Sequence, residues 1–310
     1  MRTRILDLDG SVCSQERLVK RYRPAVQSRE EWGPLLRLAC SHGLFQRFEL
    51  TVSGWLKCTS QGQPAVTFCG SGDFHHVSLA LLRNTPGPFN LLVIDNHPDW
   101  MRGVPFLHCG TWLYHACQLP QVQAVYHVGG DVDFDNYYSR LAPWPLLQSG
   151  KIAVLPGIRR YEKGGWSALS NTPVRGPDGK ELDGGRMYKL LRPHEKQLAR
   201  WPLYISLDKD VMVASDAAVN WDSGHLHLPE VETILRTFLS LSGGRLAGMD
   251  IVGDWSPVRV SGLMRRLFHW TMHPSLAINP AQAAWLNEET NLRLLDTIQD
   301  CLLQSFARAA

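Results

Sequence analysis

The amino-acid sequence predicts an α/β fold in which a mainly parallel sheet is covered by helices on both faces. Short apolar runs recur along the chain, and several of them end in glycine or acidic residues. Runs of this kind are typical of buried strands. Longer segments with helical spacing separate them, and this alternation favours a parallel sheet between two helical layers.

The strand predictions depend on apolar content and on the turn residues that bound each run. They cover residues 4–9, 48–52, 65–69, 91–94, 124–128, 151–155 and 246–252, with another strand that begins at 203. Helices are predicted at 34–43, 228–241 and 279–307, and after the turns near 70 and 101. Residues 159–193 show no regular pattern, and so long a connection is usually functional or mobile.

The composition predicts one globular domain over residues 1–310, because 44% hydrophobic and 20% charged residues suffice for a large core. The formal charge of +3 comes from scattered basic residues, which argues against nucleic acid as the main partner. The seven cysteines form no C-x-x-C pair, and the N-terminus lacks a secretory apolar core. No apolar run approaches the ~18 residues of a membrane span. We expect a soluble, cytoplasmic protein.

The strand at 91–94 leads into Asp95, His97 and Asp99, which are potential metal ligands at two-residue spacing. Residues i and i+2 of a strand point to one face, so Asp95 and His97 are predicted to emerge side by side. Pro98 turns the chain and lets Asp99 fold back. Ligands bind at the carboxyl ends of strands in open α/β sheets, so this position fits a metal site.

Two other strand ends carry residues of the same kind. His75 follows the glycine turn after strand 65–69, with His76 as the alternative. The strand from 203 ends in Asp208 and Asp210, which the two-residue spacing places on one face. Solvated strand ends and a helix-capping histidine are the structural alternatives for these residues.

Charge balance predicts how many ions such a site would hold. Carboxylates about 4 Å apart repel by several kcal/mol per pair at an effective dielectric constant near ~20. One divalent ion would leave the four carboxylates with excess negative charge, whereas two ions neutralise them. Two ions roughly 3.5–4 Å apart can make a bridging water nucleophilic at neutral pH. Carboxylates and imidazoles without thiolate suit Mn²⁺, with Fe, Co or Zn as alternatives.

Two further motifs allow more than one interpretation. The loop after Asp99 could bring His108 back to the site, where it would shuttle protons near pH 7, or His108 could be structural. Asp7-Leu-Asp9-Gly resembles the phosphoaspartyl motif of haloacid-dehalogenase-type phosphatases. That interpretation leaves the acids and histidine of 95–99 unused and finds no lysine motif.

Together the metal motifs resemble those of the arginase/agmatinase (ureohydrolase) superfamily, which shares its fold with histone deacetylases. Gly72-Asp-Phe-His75 is similar to the family's Gly-Gly-Asp-His, residues 95–99 to its Asp-x-His-x-Asp, and residues 206–210 to its Ser-x-Asp-x-Asp. The resemblance covers roughly residues 65–257. It implies a three-layer α/β/α fold and two Mn²⁺ ions. The implied metal ligands are His75, Asp95, His97, Asp99, Asp208 and Asp210.

The resemblance also implies residues that act on the substrate. His108-Cys-Gly-Thr111 is similar to the family's catalytic histidine loop, with one extra residue, and implies that His108 protonates the leaving amine while Asp210 stabilises the intermediate. Gly130-Asp-Val-Asp133 is similar to an arginase segment whose second Asp contacts the substrate's α-amino group. Asp133 is therefore a predicted substrate-binding residue.

Two departures from the family pattern bear on the substrate. The family's Asp-x-x-Glu, whose Glu binds the guanidinium, is here Asp250-Ile-Val-Gly253, followed by Asp254. We expect Asp254 to supply the carboxylate, because a guanidinium pairs with carboxylates in a bidentate manner. A solvated acid is the alternative. The loop between Asp99 and His108 is shorter than in arginases that clamp a free α-carboxylate, which leaves space for arginine within a peptide.

The sequence thus predicts a binuclear-manganese ureohydrolase, similar to peptide arginases, that converts arginine to ornithine in a peptide. The partner would be an arginine-containing peptide or a small guanidino substrate, and a homo-oligomer is left open. The alternatives are agmatinase-like hydrolysis of a small guanidino compound, deacetylase-like amide hydrolysis with one zinc, and non-catalytic metal binding.

Overall fold

An eight-stranded parallel sheet forms the centre of the protein in a computed structural model that describes residues 1–59, 63–129, 140–156, 184–273 and 278–309. A short antiparallel pair, β3 (Ala39–Cys40) with β6 (Leu107–His108), lies apart from it. The strands of the large sheet are β1 (Arg2–Asp7), β2 (Ala25–Ser28), β4 (Ala65–Phe68), β5 (Phe89–Ile94), β7 (Val122–Gly129), β8 (Ile152–Pro156), β9 (Leu203–Asp208) and β10 (Leu246–Val252).

The strand order β2-β1-β4-β10-β9-β5-β7-β8 places four site-bearing strands next to one another. In this order β4, β10, β9 and β5 are consecutive, and each adjacent pair is parallel. Their carboxyl ends therefore meet at one edge of the sheet, which is where ligands bind in folds of this kind.

Helices connect the strands and cover the sheet. The helices are α1 (Glu16–Tyr22), α2 (Gly33–Leu36), α3 (His42–Thr59), α4 (Ser78–Arg83), α5 (Trp112–Ala116), α6 (Trp144–Gln148), α7 (Gly184–Leu191), α8 (Glu195–Leu198), α9 (Leu228–Leu241), α10 (Leu263–Met272) and α11 (Pro280–Ala309). Short 3₁₀-helices at Gly72–Val77 and Lys209–Val211 follow β4 and β9.

Two hydrophobic cores, one on each face of the sheet, confirm the predicted three layers. In β5, Leu92 and Ile94 pack into a core that includes Leu235 of α9 and Leu295 of α11. Leu91 and Val93 point the other way, into a core built with residues of α3, α4 and α5. Because both faces are covered, central strands such as β5 are buried at every position, as is typical of parallel sheets.

Two secondary-structure predictions near the N-terminus are wrong. The predicted strand at 48–52 lies inside α3, where Phe45, Phe48, Val52 and Leu56 are buried at helical spacing. The predicted helix at 34–43 ends after α2, because Arg37 leaves the helical conformation and is buried against two carboxylates. In both cases tertiary contacts decide the local conformation.

The irregular segment predicted at 159–193 lies mostly outside the described residues. Its last part is helical: α7 begins at Gly184 and buries Met187 and Leu191, four residues apart on one face. Within the described parts of the chain, no helix is both long and apolar enough to cross a membrane.

Candidate metal centre

Six side chains from three strand ends converge at the carboxyl edge of the sheet. Nδ1 of His75 lies 3.1 Å from Asp95 Oδ2, 3.0 Å from Asp99 Oδ2 and 3.5 Å from Asp208 Oδ2. Nδ1 of His97 lies 2.8 Å from Asp210 Oδ2. All six predicted ligand residues are thus neighbours.

The six residues contain two overlapping groups of potential ligands. His75, Asp95 and Asp99 form one group, and Asp95, His97 and Asp210 form the other, with one ligand atom of each residue within 4.8 Å of the rest of its group. Asp95 belongs to both groups. This is the arrangement expected for two adjacent cations that share a carboxylate.

Turns after the strands, rather than strand alternation, bring the paired residues together. Asp95 Oδ1 accepts a hydrogen bond from the His97 N–H at 2.7 Å, and Asp208 Oδ1 accepts one from the Asp210 N–H at 3.0 Å. Each acid therefore folds its own loop back toward the site, as Asp side chains do in turns. Each predicted pair does lie together, but a turn after the strand brings the two residues together, and the alternation of side chains along the strand does not.

Asp99 adopts a backbone conformation that is uncommon for a residue other than glycine. Its φ is +50°, in the left-handed region. Trp112 donates from Nε1 to Asp99 Oδ2 at 2.7 Å, and the Leu113 N–H donates to the Asp99 carbonyl at 2.9 Å. The start of α5 thus holds Asp99 in place, and strained residues of this kind concentrate at functional sites.

A chain of hydrogen bonds orients His75 for metal binding. Ser206 donates from Oγ to Asp250 Oδ1 at 2.7 Å, so its oxygen accepts from His75 Nε2 at 2.9 Å. Nδ1 then points at three carboxylates. Burial opposes protonation of His75, but Asp95 and Asp99 outweigh it and hold its pKa well above the usual value, so Nδ1 carries a proton when no cation is bound. No hydrogen bond of good geometry satisfies Nδ1, and a cation would take the place of its proton. Neighbouring His76 faces Phe45 instead, with ring centroids 6.2 Å apart.

Protonation states in the metal-free arrangement follow from burial and mutual repulsion. Burial and the charge of Asp95 raise the pKa of Asp99 to about 7. Burial and the charges of Asp210 and Asp95 raise the pKa of Asp208 well above its usual value. Burial opposes protonation of His97, but Asp210 and Asp95 outweigh it and raise its pKa to about 10. Protons thus compensate the carboxylates when no cation does.

The residues present fit divalent cations. His75 Nδ1 and Asp95 Oδ2 are buried and lack hydrogen-bond partners, although each faces the other ligand atoms. The donors are carboxylate oxygens and imidazole nitrogens, with no thiolate among the six, which suits Mn²⁺ and its neighbours in the transition series. A cation between these atoms would be bound by the two unpartnered ligand atoms and would neutralise the excess negative charge.

Glycine is required at two positions beside Asp208. A Cβ at Gly72 would lie 2.7 Å from Asp208 Oδ2, and a Cβ at Gly253 would lie 2.5 Å from Asp208 Oδ1 and 2.7 Å from the Lys209 amide nitrogen. Gly253 also has a φ of +92°. With this backbone, position 253 cannot carry the glutamate of the ureohydrolase pattern.

Asp254, the predicted guanidinium ligand, is instead surrounded by protein groups. It is 1% exposed and lies 2.9 Å from Lys209 Nζ. Gln15 and Asn291 donate to its Oδ1 at 2.6 and 3.1 Å. In this arrangement Asp254 is the counter-ion of a buried lysine, and its role toward a guanidinium stays a prediction.

The other two predicted substrate or catalytic residues are only partly defined by the structure. Asp133 lies outside the described residues. His108 is buried at the end of β6, and its Nδ1 accepts a hydrogen bond from the Gly110 N–H at 2.9 Å. Burial lowers the His108 pKa to about 4, so the ring is neutral at pH 7 with its proton on Nε2. Its catalytic role stays a prediction.

The acids of the phosphatase-like motif have structural contacts. Asp7 Oδ1 accepts from the Gly10 N–H at 2.8 Å, which closes the turn after β1. Asp9 Oδ2 lies 3.2 Å from Arg37 Nη2 and accepts from the Ser71 N–H at 3.1 Å. Arg37 also lies 2.9 Å from Asp73. These contacts occupy Asp9 within a buried network.

Sequence reasoning missed the side chains that support the ligands. Trp112 follows the histidine loop at 108–111, and Asp250 begins the motif that lacks the family's glutamate. The spacing of these residues does not indicate that Trp112 contacts Asp99 or that Asp250 contacts Ser206. Trp221 was likewise missed: its ring lies 5.7 Å from that of His97, and its Nε1 donates to Asp73 Oδ1 at 3.0 Å. Of the residues that support the ligands, Ser206 is the one that lies in a motif named from the sequence, Ser-x-Asp-x-Asp.

A parallel eight-stranded sheet between helices is the arginase-like α/β fold, which confirms the predicted fold. No protein-family model matches the sequence. A sequence relative is an uncharacterised protein of Thermotoga maritima, 26% identical over 214 residues that cover 69% of this chain and 64% of the relative. The chain therefore matches less than two thirds of that relative's length.

Several solved structures share the fold at low sequence identity. Helicobacter pylori arginase is 12% identical with a TM-score of 0.56, and the match covers 97% of this chain and 99% of that one. Formimidoylglutamase from Bacillus subtilis is 14% identical with a TM-score of 0.52, over 96% and 85%. Agmatine ureohydrolase of Thermoplasma volcanium is 15% identical with a TM-score of 0.50, over 86% and 72%. At this identity the likeness establishes the fold.

The first prediction concerns pH. Asp99 and His97 have folded pKa values above those of the unfolded chain, so the stability they contribute in their protonated forms is lost as pH rises through about 7 and about 10 respectively. Mn²⁺ competes with these protons, so its stabilising effect should grow from about pH 6 to about pH 9. Thermal unfolding midpoints with and without Mn²⁺ measure this. Equal stabilisation across that range would contradict it.

The second prediction concerns the hydrogen-bond chain behind His75. Ser206→Ala removes the acceptor of His75 Nε2 and should weaken Mn²⁺ binding about 10- to 100-fold, as loss of a metal ligand's orienting partner does. Titration calorimetry of the metal-free protein measures the affinity. Ser215→Ala, an exposed serine bonded to Asp216, is the control and should bind metal like the unaltered protein.

Proposed function

We propose that the protein is a metal-dependent hydrolase that releases urea and an amine from a guanidinium group. The observation that carries this proposal is the pair of overlapping ligand groups that share Asp95. Support comes from the fold, because proteins of the same fold include an arginase, an agmatine ureohydrolase and a formimidoylglutamase.

Two divalent cations, Mn²⁺ by preference, would be held by the four carboxylates and two imidazoles of the site. When bound, they would supply a nucleophilic water at neutral pH and positive charge against the developing negative charge of the reaction. Two ions rather than one are proposed because the carboxylates carry four negative charges in a buried site. Sharing of Asp95 between the two groups supports the same count.

The chain's own residues position the reactants. The side chain of His97 is 40% exposed, whereas the other five ligands are buried, so the substrate would approach past His97. The Asn96 N–H donates to Asp210 Oδ1 at 3.1 Å, which leaves Oδ2 beside His97. Asp210 Oδ2 can accept a hydrogen bond from the attacking water. His108 would take up a proton at Nδ1, which ends its contact with the Gly110 N–H, and release the Nε2 proton to the leaving amine.

An exposed apolar face beside the site favours arginine within a peptide as the substrate. Leu263, Leu267 and Trp270 of α10 are 85%, 53% and 81% exposed, and their spacing places them on one face of the helix. A contiguous apolar face of this kind is typical of an interaction surface. Residues flanking a reacting arginine could pack against it.

The same helix leads directly to the metal centre. His273, at the carboxyl end of α10, donates from Nε2 to Asp73 Oδ1 at 2.7 Å, and its ring lies 4.6 Å from that of Trp221. Trp270 precedes His273 by one helical turn, or about 5 Å. Residues 255–287 contain no acid, and Arg259 and Arg266 are exposed. The surface suits a peptide with apolar and acidic residues near its arginine.

Urea release tests the proposed reaction. The Mn²⁺-loaded protein should release urea from an arginine-containing peptide faster than from free arginine or agmatine. His97→Ala should abolish both the second metal equivalent and urea release, because it removes a ligand from one of the two groups. His42→Ala, an exposed histidine on α3, is the matched control.

Two results would contradict the proposed reaction, and a third would contradict the assignment of His97. Absence of urea from every guanidino compound tried with the metal-loaded protein would exclude it. One zinc per chain together with amide hydrolysis would point to deacetylase-like chemistry. Urea release that survives His97→Ala would remove His97 from the site.

The α10 surface gives a separate prediction about substrate size. Replacing Leu267 and Trp270 by serine removes exposed apolar area, so kcat/KM for an arginine peptide should fall about tenfold while that for agmatine stays unchanged. Leu50→Ser, at a leucine that is 76% exposed on α3, is the control. An equal effect on both substrates would show that α10 does not contact the peptide.

A further inference from the structure

The residue that recognises the guanidinium group is the part of the proposed site that the ureohydrolase pattern does not supply. Position 253 has no room for a side chain, because a Cβ there would overlap Asp208 and the backbone of Lys209. Asp254 is buried against Lys209. A guanidinium bound beside the metals therefore needs a different partner. The following inference rests on the proposed function.

Trp221 borders the exposed side of the metal centre. Its ring lies 5.7 Å from that of His97 at an angle of 63°, and His97 is the exposed ligand. The indole is held at two further points: Nε1 donates to Asp73 at 3.0 Å, and the ring of His273 packs against it at 4.6 Å. Asp73 is itself held by Arg37. The indole therefore cannot turn away from His97 without breaking a buried network.

A partly exposed tryptophan in this position is suited to a planar cation. A guanidinium above an indole face is attracted by the ring's electrons, and the attraction increases when water is excluded. The two side chains that hold the indole, Asp73 and His273, are bonded to each other at 2.7 Å.

Asp222 follows Trp221 in the chain and carries an exposed carboxylate. Its side chain is exposed and makes no ion pair with any described residue. Its backbone carbonyl accepts from Asn96 Nδ2 at 3.4 Å, which ties this loop to the residue just before His97. The loop beside His97 thus carries an indole ring and, one residue further along, an exposed carboxylate.

We propose that Trp221 and Asp222 recognise the substrate's guanidinium group, in place of the glutamate that position 253 cannot carry. Trp221 stacks on the planar group, and Asp222 accepts hydrogen bonds from its N–H groups. The pair would select guanidinium over ammonium compounds, because only a planar, multiply donating cation satisfies both partners.

Binding measurements on the Mn²⁺-loaded protein test this proposal. N-acetyl-arginine amide is the guanidino probe, and N-acetyl-lysine amide with a free ε-amine is the ammonium probe. Asp222→Asn should weaken guanidino binding about tenfold or more, and Trp221→Leu about threefold to tenfold, with Trp221→Phe intermediate. Metal content, measured separately, should remain at the level of the unaltered protein in all three.

Two controls separate recognition from general damage. Trp285→Leu replaces a tryptophan that is 60% exposed on α11 and should leave guanidino binding unchanged. Asp222→Glu keeps the charge and should restore most of the affinity lost in Asp222→Asn. Weaker binding of the guanidino probe alone, with the preference over the ammonium probe reduced, is the expected result.

The outcomes distinguish this inference from the proposed reaction. Urea release with unchanged guanidino binding in Asp222→Asn and Trp221→Leu would overturn the inference and leave the reaction standing. Specific guanidino binding that depends on these residues, without urea from any guanidino compound, would support the inference and reject the reaction. Failure of the unaltered protein to bind the guanidino probe would overturn both.

Discussion

Repulsion among four buried carboxylates is the constraint on which the rest of this structure depends. Asp95, Asp99, Asp208 and Asp210 meet because β5 and β9 are adjacent and parallel, so their carboxyl ends meet at the same point. A buried cluster of this charge is unstable unless protons or cations compensate it. The charge of this site is therefore balanced only when protons or cations are bound to it.

Neighbouring basic residues are directed away from that cluster. Lys209 lies between Asp208 and Asp210 in the chain, yet its ammonium group pairs with Asp254 on the far side of the turn. Arg37, buried as well, pairs with Asp9 and Asp73. Asp254, Asp9 and Asp73 are thus paired with protein cations. The negative charge of the four clustered carboxylates is left for protons or for a bound cation.

The support of the ligands is polar and specific. Ser206 and Asp250 set the tautomer of His75, and Trp112 holds Asp99 in its left-handed conformation. Such partners tune metal affinity because they fix the direction of a lone pair. At the exposed side of the site Trp221 is held in a similar way, by a network of Arg37, Asp73 and His273. Support lies on one side of the cluster, and the exposed side chain of His97 lies on the side that is open to solvent.

The sequence predicts the parallel sheet, seven of its strands and five of the six clustered residues, with His75 and His76 as alternatives for the sixth, because apolar runs ending in acids follow local rules. It did not determine the conformation of 34–52, where the burial of Arg37 and the helical spacing of Phe45 and Phe48 override short-range patterns. Tertiary structure alone decided that His75 rather than His76 faces the acids, and that Asp254 pairs with Lys209. Those choices depend on which side chains from distant segments occupy the same space, and spacing along a chain does not record this.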